Sequence, residues 1–137
     1  MPISNYPNGF PAGVNIQGLP LLNTYPNKVF WVDSVNGSNG NKGTFGRPFA
    51  SIDYAIGLCT ASKGDIIMVK PGHVETVTAA AGIALDVIGV TIIGHGTGSI
   101  RPTVNFTTAV GASVAVTAAN CTVQNLLFTG GIDALTN

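Results

Sequence analysis

The sequence predicts an all-β chain of short stacked strands, with one short helix before them and an extended N-terminal arm. Three observations predict it. Beyond Pro71 the chain breaks into short apolar runs parted by small residues at Ala79 to Gly82, Gly94 to Gly98, Gly111, Ala118 to Asn120 and Gly130-Gly131. One stretch echoes another without a gap. Ile83-Ala-Leu-Asp-Val-Ile-Gly-Val-Thr-Ile matches Val114-Ala-Val-Thr-Ala-Ala-Asn-Cys-Thr-Val at an offset of 31 residues, so that Ala84 meets Ala115 and Thr91 meets Thr122. A repeat of this length fits one turn of a β-solenoid with longer corner loops, each turn about 4.8 Å above the last. Finally, Phe49, Ile52, Ile56 and Cys59 recur on one helical face.

Residues 1–28 form the arm. Pro2, Pro7, Pro11, Pro20 and Pro26 block helix interiors and central strands, and the only charge is Lys28. Tyr6, Phe10, Val14, Ile16, Leu19, Leu21, Leu22 and Tyr25 make the arm too apolar for a solvated tail. Packing along its own domain is one reading. Docking on another protein by extended-chain pairing, with these eight side chains as anchors, is the favoured one.

The domain proper is expected over residues 29–137. Val29 to Val32 is a short β-rich run in which Trp31 is expected to pack in the core. A Gly/Asn loop follows, then a helix over about 49–60 with Ser51 as N-cap and Asp53 in the first turn. Gly57 weakens that helix by about 1 kcal/mol relative to Ala, so it should be short. Its expected role is to cover one open end of the stacked strands.

From about residue 65 the strands are expected at Ile66–Val69, Glu75–Thr78, Ile83–Val87, Val90–Ile93, Thr103–Phe106, Ser113–Thr117 and Cys121–Phe128. Alternation puts Ile83, Leu85 and Val87 on one face and Ala84, Asp86 and Ile88 on the other, so Asp86 and its echo partner Thr117 point outward. The last strand ends on Leu126-Leu127-Phe128 and Gly130-Gly131. A solenoid needs a polar cap there, and none is written, so the C-terminal end is expected to be uncapped. Either a longer chain or a neighbouring subunit would cover it.

Composition narrows the classes of function. A chain of 137 residues is one domain. Charged residues are 9%, against about 25% in average soluble domains. So few charges protect a free monomer poorly, and much of the surface is expected to be covered by copies or by other proteins. Net charge is zero with no basic patch, which argues against nucleic acid as a partner. No apolar run of about 18 residues argues for a membrane span, and MPISNYPNGF lacks the layout of a secretory signal. Cys59 and Cys121 fit a reduced compartment and a core role better than a bridge or a metal site.

Candidate chemistry is sparse. Asp33 opens DSVNGSNGN, which lacks the spaced carboxylates and terminal Glu of a calcium loop. His73-Val74-Glu75 has the His-x-Glu of zinc deaminases without the Pro-Cys-x-x-Cys half. His95 lies among Gly94, Gly96 and Gly98, but no helix follows to make a dinucleotide loop. Structural roles are expected for both histidines. No catalytic residue, metal or cofactor is assigned.

The order from Asp33 to Glu75 is DSVNGSNGNKGTFGRPFASIDYAIGLCTASKGDIIMVKPGHVE. A Gly/Asn loop, a P-F-x-S-I helix start and a G-D-x-I-x-V-x-P-G strand follow one another. This resembles the opening of pectate-lyase-like right-handed parallel β-helix proteins. The resemblance implies that fold, with a capping helix. It does not extend to the lyase site, because no acid cluster accompanies Lys70 or Arg101. The arm NYPNGFPAGVNIQGLPLL and the VFWVDSVNGSNGNKGT that comes after it look like the N-terminal region of tailed-bacteriophage structural proteins. That resemblance implies a virion protein assembled in the host cytoplasm: a capsid decoration protein or head fibre, homotrimeric, docked by its arm on the major capsid protein or another virion protein. The alternative is the N-terminal part of a tailspike or pectate-lyase-like polysaccharide-degrading enzyme, with host surface polysaccharide as its partner.

Overall fold

The computed structural model describes residues 27–106 and 109–131, together with the backbone of 15–16 and 19–20. Within the arm, β1 (Asn15–Ile16) pairs antiparallel with β2 (Leu19–Pro20). Of the anchors, Ile16 and Leu19 have their backbone in this pair. The side chains of all eight lie outside the described residues.

After the arm come β3 (Val29–Val32), α1 (Ile52–Gly57), β4 (Ile66–Val69), β5 (Val74–Thr76), β6 (Ile83–Leu85), β7 (Thr91–Gly94), β8 (Thr103–Phe106), β9 (Val114–Val116), β10 (Thr122–Gln124) and β11 (Leu127–Gly130). These strands pair only in parallel, as a four-stranded sheet β10-β7-β4-β3, a three-stranded sheet β11-β8-β5 and a pair β6-β9. The protein is therefore all-β, with parallel sheets and one small helix.

The internal echo is real in space. Ala84 pairs Ala115 in the β6-β9 pair, and Thr91 pairs Thr122 in the four-stranded sheet. Both pairings hold one register, because a one-residue slip would turn every inward side chain outward. Ile83 and Leu85 are buried while Asp86 and Thr117 are exposed, as alternation requires.

The three sheets and α1 share one core. Val32, Ile67, Val69 and Ile92 come from the four-stranded sheet, Val104 from β8, Ile83 and Leu85 from β6, and Ile52, Ala55 and Ile56 from α1. The helix packs on β3, β4 and β6 and so closes one end of that core.

Three expectations need correction. The helix begins at Ile52, inside the expected 49–60, because Phe49 is held as extended chain beside β3. Its N–H donates to the Trp31 carbonyl, and its own carbonyl accepts from the Asp33 N–H. The run Cys121–Phe128 is two strands in two different sheets, broken at Asn125, whose φ is +56°. Asn tolerates this left-handed conformation better than other non-glycine residues. Trp31 lies on the outer face of β3, half-buried, with Phe30 and Val32 facing the core.

Candidate functional site

At the helix-closed end a polar junction ties three segments together. Glu75 occupies the middle of β5, in register with the inward Val104, so its side chain points into the core. Its Oε2 accepts the Ile52 N–H at 2.9 Å and lies 3.1 Å from His73 Nε2. The helix N-cap residue is Ser51, but its hydroxyl does not cap. Glu75 does so from another strand, satisfying a donor the helix leaves free. Ser51 Oγ instead accepts from the Asn39 side chain, whose Oδ1 takes the Ala50 and Ser51 N–H groups.

His73 is fully buried. Its Nδ1 accepts the Ser34 backbone N–H at 3.0 Å. A backbone N–H can only donate, so Nε2 carries the ring hydrogen and donates to Glu75. Ser34, His73 and Glu75 are thus brought together although Ser34 is far from the other two in sequence. They do not form a nucleophilic triad, because the ring meets the Ser34 backbone and not its hydroxyl. Ser34 Oγ accepts the Val74 N–H at 2.9 Å instead. The junction locks the end of β3 to the start of β5 and to α1.

Asp33 and Asp65 do similar work nearby. Asp65, almost fully buried, accepts the Lys28 and Thr60 N–H groups at 2.8 and 2.7 Å. Asp33 accepts the Val35 N–H at 2.9 Å and the Asn36 side chain at 3.3 Å, with Lys70 Nζ 3.9 Å away. Burial opposes ionisation of Asp33. The Val35 N–H, both Asn36 donors and the Lys70 charge outweigh it, so the carboxyl sits below its ordinary value.

The outer face of the four-stranded sheet carries an aromatic stack. Trp31, Met68 and Ile93 form one outward row across β3, β4 and β7. Phe45, at the tip of the turn closed by Thr44 and Arg47, meets Trp31 edge-on at 4.9 Å between centroids. His95 stacks on Trp31 at 5.4 Å, and its Nε2 lies 3.1 Å from Met68 Sδ. Lys70 Nζ sits 4.2 Å from the Phe45 centroid, a cation–π distance. Phe45 remains 63% exposed. His95, expected only to sit at a corner, is a member of this stack.

Among the described residues the opposite end of the core is open. Val116 pairs Leu85, Val123 pairs Ile92 and Phe128 pairs Val104, all inward positions of adjacent strands. Leu85, Ile92 and Val104 are 1%, 1% and 0% exposed, but Val116, Val123 and Phe128 are 61%, 41% and 50% exposed. Val123 and Phe128 line a small apolar cleft whose floor includes Ile52, Leu85, Ile92 and Val104. Phe106 and Phe128 stack at its edge, 6.3 Å between centroids. Among the described residues nothing lies over this mouth.

No family model, curated protein or solved structure matches this chain. Its function must be read from these three features. Among the described residues no group of three or more His, Cys, Asp or Glu side chains comes together in a way that could hold a metal. Asp33, Asp53, Asp65, Glu75 and His73 are engaged in holding loops and strands, whereas the apolar mouth and the aromatic stack face outward. Alternation alone would have placed Glu75 inward. Nothing in the sequence would have paired His73 with Ser34.

Proposed function

We propose that this protein is a structural component of a virus particle, a capsid decoration protein or head fibre of the tailed-bacteriophage type. Its body is a right-handed parallel β-helix, capped by α1, and residues 1–28 anchor it to the major capsid protein or another virion protein. It assembles as a homotrimer. The observation that carries this reading is the set of parallel sheets around one core, whose strands β9, β10 and β11 bear no charge and expose Val116, Val123 and Phe128. A surface of that kind belongs to a protein that works in an assembly. A charge content of 9% and an apolar arm point the same way.

Removing residues 1–28 tests the anchor. The truncated protein should keep its far-ultraviolet spectrum and melting temperature but fail to enter particles when it is co-produced with the virion proteins. Normal incorporation would refute the docking arm.

A second reading is favoured by the aromatic stack. Exposed Phe45, with Lys70 and His95 nearby, has the mixed aromatic and polar character of a saccharide-contacting surface. On this reading the chain is the N-terminal part of a tailspike or pectate-lyase-like enzyme acting on host surface polysaccharide. Retention on immobilised host polysaccharide, lost in Phe45→Ala, would support it over the first.

A further inference from the structure

We infer that Ser34 and His73 form an acid-operated clasp: one proton added to the His73 ring releases the Ser34 corner from the edge of β5. Two bonds make the clasp, and they run in opposite directions. The Ser34 N–H donates to His73 Nδ1 at 3.0 Å, and the Val74 N–H donates to Ser34 Oγ at 2.9 Å. β5 is the outermost strand of its sheet, so without Ser34 this Val74 donor would be bare on a strand edge.

The closed clasp admits one protonation state of the ring. Nδ1 faces a donor and must keep its lone pair, so the single ring hydrogen sits on Nε2 against Glu75 Oε2. A second proton has only Nδ1 to bind, and there it meets the Ser34 N–H head-on. The ring is fully buried and cannot turn to solvent without moving its walls. Ser34 is exposed, so its N–H finds water as soon as it lifts away, and the gap it leaves hydrates Nδ1. The open state takes the proton and the closed state refuses it, so falling pH favours opening.

The charged groups around the ring leave it no other way out. Glu75, two residues on, holds Nε2 and stays paired with the imidazolium. The loop after β3 brings Asp33, which is taken by Val35, Asn36 and Lys70. α1 brings Asp53, which accepts the Ala84 N–H. The turn before β8 brings Arg101, folded back on the Gly98 carbonyl, and β8 itself carries no charge. None of them offers Nδ1 an acceptor. Opening is also local. Asn39 and Asn41 still tie the loop to the helix entry, and Glu75 still caps Ile52. What acid bares is the Val74 edge.

The clasp does not depend on the virion or the saccharide reading, and its test needs only the purified chain. Amide exchange is followed by nuclear magnetic resonance on the nitrogen-15-labelled protein from about pH 8 to about pH 5, the range in which histidine changes charge. Each rate is divided by its unstructured-peptide value. Opening coupled to one proton should lower the protection of Ser34 and Val74 about tenfold per pH unit once the ring begins to charge, while Ile67 and Val104 keep theirs. The ring nitrogen shifts of His73 should show the Nε2–H tautomer at the upper end and imidazolium as protection falls. Glu75→Gln removes the other proton acceptor of the junction and should keep the slope, as should His95→Gln on the outer face. A slope lost in either variant would place the proton elsewhere and overturn the clasp. Constant Ser34 protection across the range, or a fall shared with Ile67 and Val104, would overturn it on the native protein alone.

Discussion

The side-chain amide of Asn125 donates to the backbone carbonyls of Gly94 and Gly96, at 2.9 and 2.8 Å. One residue thus turns the chain from β10 into β11 and pins the corner at the end of β7. The approach is close: a Cβ on Gly94 would lie 2.4 Å from the Asn125 carbonyl oxygen. Asn125→Ala should lose about 2 kcal/mol, since two bonds disappear and Ala is strained at φ +56°. Asn125→Gly should lose less, because it keeps the conformation and loses only the bonds. Urea unfolding midpoints of the two variants check the order.

The polar junction should be the most sensitive buried polar site. His73→Ala removes a fully enclosed ring and strands both the Ser34 N–H and a Glu75 acceptor. A loss of about 3 kcal/mol is expected from the unpaired groups and the cavity together. Glu75→Gln keeps the shape and an acceptor for Ile52, so its cost should be smaller. Equal midpoints for native protein and His73→Ala would show that the junction contributes nothing.

Acid should weaken the loop that Asp33 organises. Its carboxyl is held below the ordinary 3.8 in the folded protein. The contribution is therefore present above pH 3.8 and is lost as pH falls through the lowered folded value. Asp33→Asn should melt lower than native protein at neutral pH, and the two melting curves should converge toward pH 2. A constant gap across that range would contradict this account.

Cys59 should be chemically quiet. Burial, and then the Asp65 charge, push its thiol up from 9.0 to about 12, with Lys28 opposing. Thiolate is the reactive form, so iodoacetamide at pH 8 should leave Cys59 unlabelled until the protein is unfolded, as read by peptide mass spectrometry. The stability linked to this group is complete below pH 9 and is lost as pH climbs toward about 12. Cys59→Ala should lack that part of the alkaline loss.

What the sequence made legible follows from how local each determinant is. The 31-residue echo fell into register residue for residue because alternation in a parallel sheet is a short-range pattern repeated. The strand from Cys121 to Phe128 read as one because apolar continuity conceals a corner made by a single Asn at positive φ. Trp31 read as core because hydrophobicity carries no sign for the face of a strand, and only its neighbours Phe45 and His95 show that the outer face is partly covered. The helix starts at Ile52 because Phe49 is held extended beside β3 by bonds to Trp31 and Asp33, and the first helical N–H is capped by Glu75 from another strand. The Ser34–His73 bond joins residues that no periodicity relates.

The four-stranded sheet keeps one register although the chain spends unequal lengths between its members, from Val29 to Ile66, from Ile66 to Thr91 and from Thr91 to Thr122. Corner segments absorb the difference, and the walls do not record it. Foreign peptides grafted between Thr97 and Arg101, an exposed stretch next to a short 3₁₀ turn, should therefore be displayed without disturbing the strands on either side. Such a body is a ruler with adjustable margins, able to change what it presents while holding its gauge.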